Sequence, residues 1–585
     1  MRPDKKFTLG FLSTLFALIA MIVAGCGGTS GPTTSKPAAA PASQQVYRIG
    51  LGGISDIATF DPALTTDVDS ATAIDAVFVG MVQENDQLQV TGVLAQSWSH
   101  SADGLTYTFH LRPNLEFSDG TPLTANDVAY SIDRALTPAL ANQTGVTLTY
   151  LGLIKGAAER VGGKISSIIN DGEGLQVVND TTLNITITKP APYFLQALTY
   201  PTAYVVEKSV IQKWGTKWTD HLSDNGGQGG SGPFMVQNYS HTTGITLVPN
   251  PHWYGKATQL KKVELLFYKD VSTAYQAYQA GQIDNAPVPP ADAPQAERDV
   301  AEFKKTPQLT IFYVAMNYLY KPFDNIDIRQ AFELAVNKDV IASAIEKNLV
   351  TPTCHIVPQG MPGYNPNLKC VDGASTKGDP TKAKQLLAEG MQQEGLKTLP
   401  PITIVYPSGA ADTADQITTM IQMWQSVLGV TVTGKSEDFN TMLQQIPETA
   451  CQTPDTPQKC LNKGLQMWWL GWIADYPDPQ DWTTLQFDKG AANNDWNYGE
   501  NFSNDAATQV ATQKLLEQAD VEQDPTVRMA DYNKAEQQLV NDVAWMPLYQ
   551  ADGVGLIKKY VQGIVLNDQG LTPPQDWANI YISVH

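Results

Sequence analysis

Two glycine-containing segments match nucleotide-binding patterns. Residues 429–436 (GVTVTGKS) fit the phosphate-loop spacing G-x4-G-K-S, but alternating Val and Thr fill the loop and favour a strand. Residues 227–232 fit G-x-G-x-x-G, a motif that needs a strand before it and a helix after it. Here Pro233 opens a strand-like stretch instead. We therefore predict a strand at the first segment, a glycine-rich crossover near a hinge at the second, and nucleotide binding at neither.

The sequence motifs give little support for a hydrolytic activity. The sequence contains no His-Glu-x-x-His and no Gly-x-Ser-x-Gly pattern. With 59 Asp and Glu residues, pairs of carboxylates are expected by chance, so sequence proximity does not identify a catalytic pair. No catalytic residue is predicted, and an exported hydrolase is kept only as a third alternative.

Length, composition and net charge narrow the possible classes of protein further. At roughly 150 residues per domain, 585 residues predict two to four structural units. A content of 42% hydrophobic and 17% charged residues is typical of a folded chain with a large core. The net charge of −20 repels phosphate backbones, so no nucleic-acid partner is predicted.

The amino terminus has the composition of an export signal. Arg2, Lys5 and Lys6 precede an apolar run over residues 7–24. Residues 23–26 (Val-Ala-Gly-Cys) resemble a bacterial lipobox, which implies cleavage of residues 1–25 and a lipid anchor on Cys26. A membrane-spanning helix is the alternative, since about 18 apolar residues can cross a bilayer. Residues 26–45, rich in Gly, Ser, Thr, Pro and Ala, predict a flexible tether with a reach of roughly 24 Å.

The other cysteines fit an exported protein. An even number of them predicts disulfides, and we favour the short-range pairings, which close loops of 16 and 9 residues. A metal site is the alternative, but the spacing is not Cys-x2-Cys and His355 is the only nearby imidazole. No metal and no cofactor are predicted. The predicted disulfides are Cys354–Cys370 and Cys451–Cys460.

From residue 46 onward, strand and helix patterns alternate without a fixed repeat. Thr124, with Asp127 three residues later, predicts a helix N-cap. Such alternation predicts α/β lobes with mixed sheets. Strands are predicted at residues 106–111, 180–188, 234–236, 245–248, 402–406, 430–433 and 465–473, and helices at 327–348, 380–390, 412–428 and 506–541.

The most specific stretch is residues 98–134, WSHSADGLTYTFHLRPNLEFSDGTPLTANDVAYSIDR. It closely resembles the signature of bacterial extracellular solute-binding proteins of family 5, the peptide/nickel class, which are receptors of ABC importers. The resemblance covers residues 46–585 in register. Further matching motifs are FDP at 60–62, GPF at 232–234, NPHWY at 250–254, AGQID at 280–284, PFD at 322–324, RQA at 329–331 and GWIADYPDP at 471–479.

The resemblance implies a periplasmic-binding-protein-like α/β fold of class II (cluster C). Two lobes with mixed sheets are joined by a two-strand hinge, an extra domain is inserted in the first lobe, and the lobes close over ligand. The expected segments are 46–90, 223–322 and 545–585 for lobe I, 91–222 for the inserted domain and 323–544 for lobe II.

The same resemblance implies the ligand-binding residues. Asp475 matches the position that holds the α-ammonium of a peptide in relatives, although it could instead cap the turn, as Asp478 is expected to do. Trp472 and Tyr476 are expected to line side-chain pockets, with core packing as the alternative. Asn317 matches a position near the ligand backbone, with hinge bonding as the alternative. Thr66 and Val68 match a cleft loop.

The ligand is expected to be an oligopeptide or dipeptide, delivered to an ABC permease with cytoplasmic ATPases by a receptor anchored to the cell membrane. One departure is that residues 467–470 read Met-Trp-Trp-Leu where several oligopeptide-binding members carry an Arg that meets the ligand carboxylate. Because tryptophans also stack on sugar rings, an oligosaccharide or other small solute is the alternative. Nickel is disfavoured because the segment contains no His.

Overall fold

The computed structural model describes residues 36–170, 174–451, 455–491, 493–567 and 569–585. The predicted signal peptide and Cys26 lie outside the described residues. Residues 39–585 form one compact unit, which is the second of the two units into which the chain divides. Within the described ranges, no helix combines the length and the apolar character needed to cross a membrane.

The second unit begins at Ala39, earlier than the predicted start at residue 46. Ala39 forms an antiparallel bridge with Ser583, and the backbone N–H of Ala40 donates to the carbonyl of Ile582 at 2.8 Å. The buried Gln45 amide donates to the carbonyls of both Ala40 and Ile582. These bonds attach residues 39–45 to the carboxyl-terminal strand, so the last part of the predicted tether belongs to the folded unit.

The first part of the unit contains a strand and a helix of lobe I and then the inserted domain. In β5, Tyr107, Phe109 and Leu111 are buried and alternate with more exposed residues, as the period of two predicts. The inserted domain contains an antiparallel sheet in the order β4-β5-β7-β6. The elements are β1 (Val46–Gly52), α1 (Val68–Val77), β2 (Val82–Glu84), β3 (Val90–Gly92), β4 (Ala95–His100), β5 (Thr106–Leu111), α2 (Ala125–Ala135), α3 (Pro138–Thr144), α4 (Val146–Leu151), α5 (Ala157–Val161), β6 (Leu175–Asn179), β7 (Thr182–Thr186), α6 (Phe194–Ala197) and α7 (Lys208–Trp214).

Helix α2 begins where the sequence predicts, and its end ties the inserted domain to lobe I. Thr124 and Asp127 form a reciprocal capping box at its start. Near its end, the Arg134 guanidinium donates to both carboxylate oxygens of Asp61, which also accepts from the Trp218 indole at 3.0 Å. Asp61 of the FDP motif and Arg134 of the signature stretch (residues 98–134) therefore share one structural role: their contact joins lobe I to the inserted domain.

The chain then returns to lobe I and crosses into lobe II along one long strand. The elements are β8 (Phe234–Ser240), β9 (Gly244–Pro249), β10 (Lys262–Tyr268), α8 (Val271–Gln279), β11 (Asn285–Pro287), α9 (Ala293–Ala296), β12 (Phe303–Met316), α10 (Ile326–Leu334), α11 (Lys338–Val340), β13 (Val350–Pro352), α12 (Pro380–Gln393), β14 (Ile402–Pro407), α13 (Ala411–Leu428), β15 (Val432–Glu437), α14 (Phe439–Gln445), α15 (Pro457–Cys460), β16 (Met467–Ile473), α16 (Pro479–Trp482), α17 (Thr484–Phe487), α18 (Ala506–Val521), α19 (Pro525–Asn541), β17 (Met546–Ile557), β18 (Val561–Gln562) and β19 (Tyr581–Ile582).

Two helix predictions need correction. The stretch 506–541 forms two helices, α18 and α19, because Asp524 caps a new helix whose first residue is Pro525. The stretch 327–348 is interrupted after Leu334, and its remainder forms short turns of helix around Lys338–Val340.

A continuous sheet runs through both lobes in the order β15-β14-β16-β12-β17-β11-β1-β10-β9-β8, and β13 also pairs with β17. In it, residues 303–307 of β12 pair with residues 552–556 of β17, and residues 311–314 pair with residues 546–550. The register shifts between residues 307 and 311. Two antiparallel strands thus pass together from one lobe to the other, as a two-strand hinge requires.

The hinge lies earlier in the chain than the expected boundary between residues 322 and 323. Residues 309–318 and 546–551 contribute to the core of lobe II, together with Trp424 and Trp545. Phe234 and Ile245 lie in the core of lobe I, and Phe109 and Ile185 in the core of the inserted domain. Because β12 and β17 are uninterrupted strands, the lobe boundary falls within them at the register shift.

Both predicted disulfides are present. Cys354–Cys370 and Cys451–Cys460 have Cα–Cα distances of 5.4 Å and 5.6 Å. The short-range pairing is therefore confirmed.

Neither nucleotide-like motif has the required local structure. Gly429 ends α13 in the left-handed region with φ of 71°, and the residues that follow form β15 rather than a phosphate loop. At Gly230 and Gly232, a Cβ atom would come within 2.8 Å and 2.9 Å of the Val77 carbonyl oxygen. The backbone of residues 227–232 therefore passes close to the end of α1, and it leads into a strand, β8, where the dinucleotide motif requires a helix.

Candidate functional site

A cavity of about 1690 Å³ lies between lobe I, the inserted domain and lobe II. Its walls come from Tyr313 and from four other parts of the chain: residues 58–84, residues 141–204, residues 439–520 and residues 567–573. Since the hinge strands connect the lobes that carry these walls, the volume depends on how far the lobes close.

Asp475 lies on this wall, just beyond the end of β16. The Tyr150 hydroxyl donates to its Oδ2, and its backbone carbonyl accepts from the Gln569 amide at 2.8 Å. Burial raises the pKa of Asp475 to about 7, and the hydrogen bond from Tyr150 offsets part of the rise. No cation of the described chain forms an ion pair with this carboxyl group. It is therefore a buried acceptor suited to a ligand cation.

Asp481 holds the Asp475 segment in place. It is fully buried, and its Oδ2 accepts from the backbone N–H of Asp475 at 3.1 Å and from the Trp472 indole at 3.3 Å. Burial and the nearby charge of Asp475 raise its pKa well above the ordinary range. Sequence reasoning did not identify Asp481, although it lies only six residues beyond Asp475.

Glu84, at the end of β2, is a wall residue that no motif indicated. It is only 3% exposed, and neither carboxylate oxygen has a hydrogen-bond partner. Burial and the charge of Asp475 raise its pKa well above the ordinary range. The carboxyl groups of Glu84 and Asp475 therefore lie near enough to interact electrostatically.

An aromatic pair lies beside Asp475. The rings of Tyr150 and Tyr200 stack with centroids 3.7 Å apart and an interplanar angle of 13°. The Tyr200 hydroxyl donates to the carbonyl of Thr65 at 2.9 Å, so the pair links the inserted domain to the loop before α1. This packing fixes the hydroxyl that orients Asp475.

Thr66 and Val68 lie on the cavity wall, as the resemblance implied. Both are exposed to the cavity, and Asp67 between them caps α1 by accepting from the Ser70 backbone N–H at 2.8 Å. The cap fixes the backbone of this loop, which presents its two neighbouring side chains to the ligand space.

Trp472 is also on the wall, whereas Tyr476 is not among the wall residues. Tyr476 is 0% exposed, its hydroxyl donates to Gln480, and its ring is parallel to that of Tyr193 at 6.4 Å between centroids. The core-packing alternative therefore describes Tyr476, which joins lobe II to the core of the inserted domain.

Asn317 also lies away from the cavity wall. Its amide nitrogen donates to the carbonyls of Lys463 and Leu465, and its oxygen accepts from the Leu319 backbone and from Asn497. All of these partners belong to lobe II. The structure places Asn317 in an internal hydrogen-bond network, and not with Asp475, Trp472, Thr66 and Val68.

Asp478 has the structural role expected of it. Its two carboxylate oxygens accept from the Arg528 guanidinium at 2.7 Å each, and one also caps α16 at the backbone N–H of Gln480. The two aspartates of the GWIADYPDP segment thus differ in surroundings, since Asp478 has a buried cationic partner and Asp475 has none.

The cavity wall is strongly acidic. Among the described residues, its cationic side chains are the half-buried Lys189 and the exposed Lys489. Burial raises the pKa of Asp495 to about 7 at the lobe II end. The described residues contain no group of His, Cys, Asp and Glu arranged to hold a metal ion. The acidic wall residues are Asp67, Asp75, Glu84, Glu448, Asp475, Asp488, Asp495, Glu500 and Asp520.

Comparisons with known proteins give a consistent result. Residues 89–494 match the model of the bacterial extracellular solute-binding proteins, family 5 Middle. The oligopeptide-binding protein OppA of Bacillus subtilis is 26% identical over 95% of this chain and 97% of its own length. The murein tripeptide binding protein MppA of Escherichia coli has a TM-score of 0.78 at 24% identity, covering 92% of this chain and 99% of its own. The unliganded open form of MppA, also 24% identical, has a TM-score of 0.63; the match covers 94% of this chain and 99% of that structure.

Proposed function

Since this chain belongs to the bacterial extracellular solute-binding proteins of family 5, we propose that it captures oligopeptides or dipeptides in the cavity between its lobes for an ABC importer. The observation that carries this proposal is Asp475, a half-buried carboxyl group on the cavity wall that has no cationic partner among the described residues. A peptide α-ammonium supplies the missing charge through a charge-assisted hydrogen bond.

The surroundings of Asp475 suit an extended peptide. Trp472 and the pair Tyr150 and Tyr200 present aromatic surface near the carboxyl group, and Thr66 and Val68 lie on the lobe I wall. Aromatic surface binds varied side chains with little loss of rotamer freedom, which favours tolerance of sequence. Among the described wall residues, Lys189 and Lys489 are the cations available to a peptide carboxylate, in place of the Arg that residues 467–470 lack.

An oligosaccharide gains no support from the tryptophans that suggested it. Trp468 is fully buried, and Trp469 is buried with its ring 4.9 Å from that of Phe312. Of the tryptophans at residues 468, 469 and 472, Trp472 is the one with partial exposure. Its indole N–H donates to Asp481 at 3.3 Å, and the other two tryptophans offer no second exposed ring beside it.

Ligand capture would use the hinge between residues 307 and 311. The chain is more similar to one structure of MppA, at a TM-score of 0.78, than to the unliganded open form of that protein, at 0.63. This difference supports a lobe arrangement more closed than that open form. A ligand that contacts both lobes stabilises the closed state by its differential affinity.

The proposal extends to location and partners. An export signal and the Val-Ala-Gly-Cys sequence at residues 23–26 support an extracytoplasmic protein anchored to the membrane through a lipid on Cys26. The closed receptor would dock on the permease subunits, whose cytoplasmic ATPases drive uptake. The role requires binding and release, with no chemical change in the peptide.

Calorimetry with matched ligands tests the proposal. Ala-Ala-Ala should bind, while N-acetyl-Ala-Ala-Ala, which lacks the ammonium, should bind at least tenfold more weakly, as expected for loss of a charged hydrogen bond worth about 1.5–3 kcal/mol. Maltotriose serves as the control for the alternative ligand class. Tight binding of maltotriose without binding of any free peptide would overturn the proposal.

A further inference from the structure

Asp475 is not the only unpaired carboxyl group at its end of the cavity. Glu84, from the strand β2, is buried with both oxygens unpartnered, and Asp75 on α1 is buried with one oxygen unpartnered. Both residues lie on the cavity wall. A buried carboxylate without hydrogen bonds or a cation is strongly unfavourable in the ionised state, so its retention on a wall points to a ligand group.

The described part of the chain provides no cation for these groups. Neither Glu84 nor Asp75 forms a salt bridge there, and Lys189 lies instead near Asp488 and Asp520, where its charge offsets part of the rise in their pKa. Lys489, which directly follows Asp488 in the chain, is exposed. The acidic end of the cavity therefore lacks positive charge from the protein.

A single ammonium group of a ligand does not supply a partner for every carboxyl group at the acidic end of the cavity. The Tyr150 hydroxyl donates to Oδ2 of Asp475, and the other carboxylate oxygen can accept from the α-ammonium. Glu84 and Asp475 line the same cavity, and the charge of Asp475 contributes to the raised pKa of Glu84. If only Asp475 were paired, the Glu84 carboxyl group would stay buried with no hydrogen-bond partner among the described residues.

We infer that the ligand carries a second positive charge next to its α-ammonium, namely a Lys or Arg side chain at its first residue, and that Glu84 binds it. This inference rests on the proposed function and names its substrate class. Gln83, also buried on the wall with an unpartnered side-chain oxygen, adds a second acceptor beside Glu84. An extended Lys or Arg side chain has the donors to use both.

The test compares three tripeptides by calorimetry at pH 8: Lys-Ala-Ala, norleucine-Ala-Ala and Ala-Ala-Ala. Norleucine matches the Lys stem without its charge. We expect Lys-Ala-Ala to bind at least tenfold more tightly than norleucine-Ala-Ala. The preference should fall below threefold in Glu84→Gln and stay intact in Glu159→Gln, whose carboxyl group is exposed and off the cavity wall.

Each outcome is decisive. Binding of the three peptides with equal affinity by the unaltered protein would overturn the inference and leave the proposed function standing, whether or not Glu84→Gln folds. Absence of binding by every peptide would overturn the proposed function itself. Binding of 1,4-diaminobutane more tightly than Lys-Ala-Ala would assign the charge pair to a free diamine and would also overturn the inference.

Discussion

The substitution Asp475→Asn should stabilise the unliganded protein while weakening its binding of peptide. The unpaired carboxyl group has its pKa raised from the ordinary 3.8 to about 7 by burial. The folded state therefore binds an extra proton between roughly pH 4 and pH 7, and its stability falls as the pH rises through that window. Above pH 7 the ionised carboxylate lowers the free energy of unfolding by its full amount. An Asn amide carries no charge and removes this loss of stability.

The magnitude follows from the size of the pKa change. A rise from 3.8 to about 7 corresponds to roughly 4 kcal/mol at 1.36 kcal/mol for each tenfold change. Because Asp475 is only partly buried and shares its surroundings with Asp481, we expect about 1–3 kcal/mol of added stability at pH 8. Loss of the charged hydrogen bond should weaken peptide binding by about 1.5–3 kcal/mol, or roughly 10- to 150-fold.

Urea denaturation at pH 8 and at pH 4.5 measures the first effect, and calorimetry with Ala-Ala-Ala measures the second. The gain in stability should be present at pH 8 and much smaller at pH 4.5, where the wild-type carboxyl group is protonated. A variant that is less stable at pH 8 and binds peptide with wild-type affinity would show that Asp475 is a structural turn residue, and the reasoning would be refuted.

Three further predictions concern the same molecule. Asp478→Asn, which breaks the buried pair with Arg528, should lower the free energy of unfolding by about 3 kcal/mol in denaturant titrations, and an unchanged midpoint would contradict this role. Affinity for Ala-Ala-Ala should be greatest between about pH 7 and pH 8, where the carboxyl group is largely ionised and the peptide α-amino group is still largely protonated. It should fall roughly 50-fold by pH 5, because a pKa of about 7 leaves about 1% of the carboxyl group ionised there; pH-independent calorimetry would argue against it. Replacing the cysteines of Cys354–Cys370 by Ser should lower the free energy of unfolding by about 3 kcal/mol, and the same change at Cys451–Cys460 should lower it by about 2.5 kcal/mol. Only the second change should reduce peptide affinity, since Cys451 lies on the cavity wall; equal affinities of the two variants would contradict this assignment.

Local patterns in the sequence predicted local structure well. The alternation at residues 106–111 predicts β5, and Thr124 with Asp127 predicts the start of α2, because both depend on neighbours a few residues away. The short-range disulfides follow for the same reason. The lobe boundary was not predictable in this way, since β12 passes through the hinge as one strand without a break in composition.

The candidate site was predicted in part. Asp475 and Trp472 lie on the cavity wall, but Tyr476 is buried in the core, because the chain bends after the end of β16 at Ile473. Tyr150 and Glu84 come from parts of the chain more than 300 residues away from Asp475 in sequence, and no local pattern links them to it. Their contribution depends on tertiary packing.

Native mass spectrometry of the protein purified from its producing cells tests the central claim most directly. We expect the bound species to be short peptides with a free amino terminus, released on denaturation and identified by fragmentation. A bound oligosaccharide, or another non-peptide solute with no peptide present, would contradict the account.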